Sequence, residues 1–223
     1  MLAKKLIDCI CKLNGVEAVA IGGSRASGNN DVKSDYDIYV YFSDLPAEED
    51  RDKLYSEYCK TYEVGNHYFE YEDNCILNDD TPIDVIFRPI NHFVNNDRTK
   101  SFLLSAKNGY STCFLHNIIT CNVIFDKTGD FTKFQQELNI DYPEDLRKNI
   151  IDRNLKMLHG VLPSYDDQIK KAVSRNDLVS INHRTSAFFE SYFDIMFALN
   201  RLTHPGEKRM VELCKKNCEV LPE

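Results

Sequence analysis

The stretch that decides the fold is residues 34–42, which read SDYDIYVYF. Residues 36–42 are rich in side chains that favour extended structure, so they predict a β-strand. Side chains two positions apart on a strand point to the same face, and we therefore expect Asp35 and Asp37 to lie side by side. Two carboxylates that close repel each other, and a hard divalent cation between them removes the repulsion. An isolated Asp-x-Asp pair is more often the solvated start of an exposed strand.

A glycine-rich turn lies upstream of that strand. The apolar residues 16–21 predict a buried strand, which runs directly into Gly22, Gly23 and Ser24. Glycines let a backbone approach a ligand closely, and backbone N–H groups together with the Ser24 hydroxyl can hold phosphate oxygens. Arg25 is either a further phosphate contact or the partner of an acidic neighbour. Gly-Gly-Ser turns are common, so the turn alone identifies no site.

A third carboxylate lies inside an apolar strand. Residues 83–87 read IDVIF and follow the turn signal of residues 78–82. A lone carboxylate in a central strand costs free energy unless it is paired or bound to a metal. If Asp84 instead faced outward on an edge strand, Ile83 and Ile86 would be left unexplained. The pattern therefore favours Asp84 as a third member of the aspartate group.

The remaining segments predict two regions of different character. Before residue 140 the patterns predict helices over 2–13 and 47–60, a hairpin-like pair of strands over 66–78 with Asn74 near its turn, partial helix over 90–116 and a strand over 122–126. From residue 146 onward strand signals are nearly absent, and helices are predicted over 146–162, 165–174 and 178–202. The last of these is apolar nearly all round, which is typical of the centre of a bundle. We expect one domain at 1–140 and a helical domain at 141–223.

Composition and charge restrict the possible functions. The 223 residues are 43% hydrophobic and carry a formal net charge of -8. A protein that neutralises many DNA phosphates has the opposite charge, so long nucleic acid is disfavoured as a partner. The eight cysteines contain no CxxC pair, and the six histidines show no metal-ligand spacing. With neither a signal peptide nor an apolar run of about 20 residues, we expect a cytoplasmic protein with reduced thiols and no membrane segment.

The order of these motifs resembles that of a known superfamily. A glycine–serine turn at residues 23–28, a paired-aspartate strand at 34–38 and a single-aspartate strand at 83–85 are similar to the motif set of the nucleotidyltransferase superfamily, which has the polymerase-β-like fold. The resemblance implies an α+β fold, with a mixed sheet and flanking helices, followed here by a C-terminal helical bundle. It also implies a nucleoside triphosphate as co-substrate and two Mg²⁺ ions.

The resemblance implies a role for each site residue. Asp35 and Asp37 would bind both metal ions, and Asp84 would bind the catalytic one and could accept the proton of the acceptor hydroxyl. Ser24 and the Gly23 backbone would hold the β- and γ-phosphates.

A narrower resemblance points to a class of acceptor. Residues 80–88, 197–201 and 205–209 look like segments of stand-alone bacterial nucleotidyltransferases related to antibiotic-modifying enzymes. It implies transfer of a nucleoside monophosphate to a hydroxyl of a small molecule, such as an aminoglycoside or a lincosamide, with release of pyrophosphate. It further implies that Lys208 reaches the triphosphate; otherwise Lys208 is a surface charge. The chain stops soon after this region, so final helices could be missing.

Three alternatives remain at this stage. The acceptor could be a protein, as in toxin–antitoxin systems, or the chain could be a nucleotide-binding module without catalysis. The general base could be Asp84 or a carboxylate of the long apolar helix, where Glu190 and Asp194 lie four residues apart and therefore neighbour each other. Those two carboxylates could equally bind a cationic acceptor, form a solvated stripe, or pair with Arg184 and Arg201.

Overall fold

The structure is a computed structural model that describes residues 2–23 and 35–222. The chain forms two compact units, one of Met1–Thr99 with Asn117–Asn139 and the other of Lys100–His116 with Ile140–Glu223. The division into domains at residue 140 stays a prediction, because compact packing does not by itself define an independently folding domain.

Helices and strands alternate along the first unit. They are α1 (Leu2–Ile10), β1 (Val16–Ile21), β2 (Tyr36–Phe42), α2 (Glu48–Tyr58), β3 (Cys59–Asn66), β4 (Glu72–Leu77), β5 (Pro82–Pro89), a 3₁₀ turn (Ile90–His92), α3 (Asp97–Leu103), α4 (Cys113–Thr120), β6 (Asn122–Asp126) and α5 (Asp130–Leu138). The chain passes between the units at three places, of which the first lies in α3, the second in α4 and the third just after α5.

A six-stranded mixed sheet organises the first unit. The strand order is β3-β4-β5-β2-β1-β6, with β2 and β5 parallel and every other neighbouring pair antiparallel. Alternation along β2 sends Ile38 and Val40 to one face, where both are fully buried, and sends Asp37 to the other. The predicted mixed sheet with flanking helices is confirmed.

The apolar face of the sheet carries the main core. Helix α1 presents its buried residues at helical spacing to this face, as the amphipathic pattern predicts. Leu6 and Ile10 of that helix are completely buried against Val19 and its neighbours. Each such side chain contributes about 1.5–3 kcal/mol by leaving water. This core covers one face of β1, β2 and β5. On the opposite face, Asp37 and Asp84 lie near the starts of β2 and β5, and Tyr41 further along β2 packs against Phe93 and Phe131.

The hairpin prediction is wrong in register. The pattern predicts strands over 66–78 with a turn near Asn74, whereas β3 ends at Asn66 and the turn occupies residues 67–71. The predicted helix over 47–60 correspondingly ends at Tyr58, where β3 takes over. The cause is a buried polar network between α2 and the hairpin that no local pattern reveals.

That network is built on an ion pair between Arg51 and Asp73. Both side chains are completely buried, and the Arg51 Nη1 to Asp73 Oδ1 distance is 2.5 Å. The Tyr55 hydroxyl donates to Asp73 Oδ2 at 2.8 Å, and the Gly65 N–H donates to Asp73 Oδ1 at 2.7 Å. Since Asp73 lies on β4 and Gly65 on β3, the ion pair ties both strands of the hairpin to α2 and sets their register.

We expect Asp73→Asn to destabilise the protein by about 3–5 kcal/mol, because it leaves the buried Arg51 charge uncompensated. Urea unfolding measures this change. The control is Asp50→Asn, which removes an exposed carboxylate from the first turn of the same helix and costs less than about 1 kcal/mol. Equal losses in the two variants would contradict the structural role of the pair.

The second unit is helical, as predicted. Its main elements are α6 (Glu144–Leu155), a π-helical turn (Lys156–Gly160), α7 (Tyr165–Ser174), α8 (Leu178–Leu199) and α9 (Met210–Asn217). Ser164 starts α7 with a capping box, in which its side chain accepts from the Asp167 N–H. Within residues 2–23 and 35–222, no helix combines the length and the apolar character that a bilayer span requires.

Candidate active site

The three predicted aspartates lie together at one edge of the sheet. Asp35 immediately precedes β2, and the parallel pairing of β2 with β5 places Asp37 directly opposite Asp84. Each carboxylate offers an oxygen, and these oxygens lie within 4.8 Å of one another. All three residues are half-buried. Parallel strands bring their N-terminal ends to the same edge, which is why residues 47 positions apart meet here.

The donor set fits a magnesium ion. Three negative charges at this distance repel one another, and partial burial weakens screening by water. Carboxylate oxygens are the ligands that Mg²⁺ prefers, and half-exposed side chains leave room for water and substrate phosphates. The arrangement can therefore hold a hard divalent cation between β2 and β5.

The glycines at the end of β1 pack against this group. The Gly22 N–H donates to the Asp37 carbonyl at 2.8 Å. Gly23 has φ +62°, and a Cβ at that position would lie 1.9 Å from Asp37 Oδ2. Glycine is therefore required so that the backbone can lie against the carboxylate. Ser24 and Arg25 lie outside the described residues, and their phosphate contacts stay predictions.

A neighbouring amide also contacts the aspartates, and the sequence analysis missed it. Asn74 on β4 is the register partner of Asp84 on β5, and its Nδ2 donates to Asp84 Oδ1 at 2.7 Å. The sequence pattern predicts that Asn74 lies near a turn, because local signals do not reveal the register of the hairpin. The position of Asn74 opposite Asp84 follows only from the pairing of β4 with β5.

A polar floor lies beside the aspartates on the same face of the sheet. Tyr39 follows Asp37 by two residues, and its hydroxyl accepts from Asn117 Nδ2 at 2.5 Å. The Arg88 guanidinium lies 4.4 Å from the centre of the Tyr39 ring and donates to both oxygens of Glu70, at 2.9 and 2.6 Å. Burial raises the pKa of Tyr39 to about 12, so the phenol is neutral at physiological pH. These contacts hold the start of β2 in place.

The electrostatic environment of this face is acidic. Glu72 lies two residues before Asn74 and exposes only 8% of its surface. Burial, followed by the negative charges of Asp84 and Glu70, raises the pKa of Glu72. A face on which carboxylates perturb one another in this way attracts cations.

Two family models match the chain. Residues 3–107 match a nucleotidyltransferase domain, and residues 111–210 match a domain of unknown function, DUF4037. The chain contains a nucleotidyltransferase domain. The matched segment includes Gly23 and the three aspartates, so the polar edge of the sheet lies inside that domain.

Two solved structures to which the chain is similar have names that refer to nucleotidyl or adenyl transfer. A nucleotidyltransferase-like protein from Exiguobacterium sibiricum 255-15 is 10% identical with a TM-score of 0.41, over 97% of this chain and 62% of its own. An aminoglycoside 6-adenyltransferase from Bacillus subtilis is 10% identical with a TM-score of 0.35, over 98% of this chain and 74% of its own. This chain thus spans less than two thirds of the first protein's length. A comparison with curated proteins finds no match.

Asp194 lies in a buried polar cluster of the helical unit. It exposes 1% of its surface and accepts hydrogen bonds from the Ser111 N–H at 3.0 Å, the Ser111 hydroxyl at 2.6 Å and Asn154 Nδ2 at 2.9 Å. Burial raises its pKa to about 6. These bonds join α8 to α6 and to the segment before α4, and a role of Asp194 as a base stays a prediction.

The two other helical candidates differ from Asp194 in their surroundings. Glu190 is half-buried and packs against Gly109, where an added Cβ would lie 2.8 Å from the Glu190 Cβ. Lys208 is exposed and lies just before α9. The roles of Glu190 as a base and of Lys208 as a triphosphate contact stay predictions.

We expect Gly23→Ala to prevent divalent-metal binding by the protein, because the new Cβ displaces the Asp37 carboxylate. A non-glycine residue in the left-handed region also destabilises the fold by about 1–3 kcal/mol. A control variant must therefore carry the same backbone strain without the clash. Gly129 supplies it, since it has φ +80° and an added Cβ there meets nothing within 4 Å. Mn²⁺ titration followed by electron paramagnetic resonance should show a loss for Gly23→Ala and wild-type binding for Gly129→Ala. Equal binding by both variants would contradict the close packing at Asp37.

Proposed function

We propose that this nucleotidyltransferase depends on magnesium and transfers a nucleoside monophosphate from a nucleoside triphosphate to a hydroxyl of a small molecule, such as an aminoglycoside or a lincosamide. Pyrophosphate is the second product. The observation that carries the proposal is the pairing of β2 with β5, which brings oxygens of Asp35, Asp37 and Asp84 within 4.8 Å inside the nucleotidyltransferase domain.

The aspartates would hold two Mg²⁺ ions. Asp35 and Asp37 would contribute to both sites, and Asp84 to the site of the catalytic ion. Bound magnesium neutralises the charge of the phosphates during displacement at the α-phosphorus, which is its usual contribution to such chemistry. The acidic character of the sheet edge supports this assignment, because without a cation the carboxylates and the triphosphate would repel each other.

The other residues of this edge position the nucleotide. Gly23 keeps the end of β1 free of a side chain beside Asp37, so backbone N–H groups of the turn can approach the β- and γ-phosphates. Ser24, Arg25 and Lys208 would add further phosphate contacts. Tyr39, Asn117 and Arg88 form the fixed floor that keeps β2 and β5 in register under the triphosphate.

We assign removal of the proton from the acceptor hydroxyl to a carboxylate. We assign this role to Asp84 or Glu190 in preference to Asp194, which is buried and accepts three hydrogen bonds within the helical unit. A carboxylate within hydrogen-bond distance of the acceptor hydroxyl can take the proton as the oxygen attacks phosphorus.

The charge of the protein favours a small cationic acceptor. A net charge of -8 repels the phosphates of long nucleic acid and attracts amines. Aminoglycosides carry several amines and hydroxyls, so they suit both the surface charge and the reaction. A protein acceptor is the alternative that the assay distinguishes.

Pyrophosphate release tests this function. The protein is incubated with Mg²⁺, each nucleoside triphosphate in turn, and a panel of aminoglycosides, lincosamides and candidate protein acceptors. We expect release that requires both magnesium and a small hydroxylated acceptor. Release that requires a protein acceptor would show that the acceptor is a protein and not a small molecule. Failure to bind any nucleotide would overturn the proposal.

In the same assay, we expect Asp37→Asn to reduce transfer on the order of 1,000-fold, because losing one metal ligand removes several kcal/mol of transition-state stabilisation. Its melting temperature should stay close to that of the wild type, since Asp37 is half-buried and lies outside the apolar core. Asp44→Asn, which alters an exposed carboxylate after the same strand, serves as the control. Normal turnover by Asp37→Asn would refute the metal assignment.

A further inference from the structure

We propose that Asn74 is a positioning residue that holds Asp84 in the orientation of a metal ligand, through a chain of two amides that starts at the β3–β4 turn. The inference rests on the proposed function, since it assumes that Asp84 binds a divalent cation. Asn74 lies outside the aspartate group, and the hairpin places it beside Asp84.

The contact between Asn74 and Asp84 is set by the sheet itself. The two residues are register partners on antiparallel β4 and β5, and Asn74 Nδ2 lies 2.7 Å from Asp84 Oδ1. On the other side of Asn74, its Oδ1 accepts from Asn66 Nδ2 at 2.5 Å. Asn66 is the last residue of β3 and exposes 7% of its surface. Three adjacent strands thus carry one continuous row of polar side chains.

The direction of the hydrogen bonds in this row follows from chemistry. An ionised carboxylate can only accept, so Asn74 must turn its NH₂ group toward Asp84 and its oxygen toward Asn66. Asn66 must then present its own NH₂ group, and its oxygen accepts from the Tyr68 N–H at 3.4 Å. Every donor in the row therefore points toward Asp84, and the backbone of the turn fixes the far end.

This arrangement restricts how Asp84 can be used. One carboxylate oxygen is held by Asn74, which fixes the side-chain torsion and leaves the other oxygen for the cation. Hydrogen-bonding partners behind a metal ligand orient it and reduce the ordering that binding requires. Asn74 does not touch the reacting atoms, so its effect on the reaction passes through Asp84.

Because the Asn74 amide is neutral, it adds no negative charge beside Asp84. Glu72 lies two residues away on the same strand, so the surroundings of Asp84 already contain a second carboxylate. An aspartate at position 74 would have the same shape as asparagine but would place a further acceptor and a further negative charge against Asp84. Asparagine is thus the residue of this size that can donate a hydrogen bond to Asp84.

The test measures Mn²⁺ binding by electron paramagnetic resonance, in the presence of a non-transferable α,β-methylene nucleoside triphosphate. The variants are Asn74→Ala, Asn74→Asp, Asn66→Ala and Asp84→Asn. The matched control is Asn78→Ala, an exposed asparagine just after the end of β4. Melting temperatures are recorded for every variant.

We expect Asn74→Ala to bind Mn²⁺ roughly 10- to 100-fold more weakly than the wild type, which is the usual effect of losing a partner behind a metal ligand. Asn74→Asp should be weaker still, and Asn66→Ala should show a smaller loss with Asn74 intact. Asn78→Ala should bind as the wild type does. In the pyrophosphate-release assay, saturating metal should restore most of the turnover of Asn74→Ala. A variant with a generally disturbed fold would not regain turnover at saturating metal.

Three outcomes would overturn the inference. Wild-type Mn²⁺ affinity in a folded Asn74→Ala, alongside a loss in Asp84→Asn, would overturn it and leave the proposed function intact. Equal losses in Asn74→Ala and in the Asn78→Ala control would overturn it as well. Absence of Mn²⁺–nucleotide binding by the wild type would overturn the inference together with the proposed function.

Discussion

The parallel pairing of β2 with β5 is the constraint on which the rest of the structure depends. It sets Asp37 directly beside Asp84, with Asp35 one residue before β2. Such close carboxylates oppose the pairing, while the apolar residues behind them on the same strands favour it. The fold therefore combines a stable core on one face of the sheet with a concentration of negative charge at its edge, which a bound cation relieves.

Contacts from β1 and β4 complete that edge of the sheet. β1 is followed directly by glycines, because a side chain on Gly23 would collide with the Asp37 carboxylate. β4 supplies the amide of Asn74 to Asp84, and the buried ion pair of Arg51 with Asp73 keeps β4 in register. The ion pair on the core face of β4 thus fixes the position of Asn74, which lies on the opposite face of β4 and contacts Asp84.

The sequence predicts those parts of the molecule that depend on local pattern. Alternation and composition locate β2 and β5, and the cost of a carboxylate in an apolar strand identifies Asp84. The hairpin is misplaced because its register depends on Asp73 meeting Arg51, 22 positions apart in the chain. Asn74 is missed for the same reason. The hydrogen-bonded cluster of Asp194 is also missed, because its partners, Ser111 and Asn154, are distant along the chain.

The proposed function requires that Asp37 and Asp84 share a divalent cation with the triphosphate. This sharing can be tested by anomalous diffraction from a crystal of the protein with Mn²⁺ and a non-transferable nucleoside triphosphate. We expect an anomalous peak bonded to oxygens of Asp37, Asp84 and the nucleotide. A bound nucleotide with no peak between β2 and β5, or with the metal held by other residues, would contradict it.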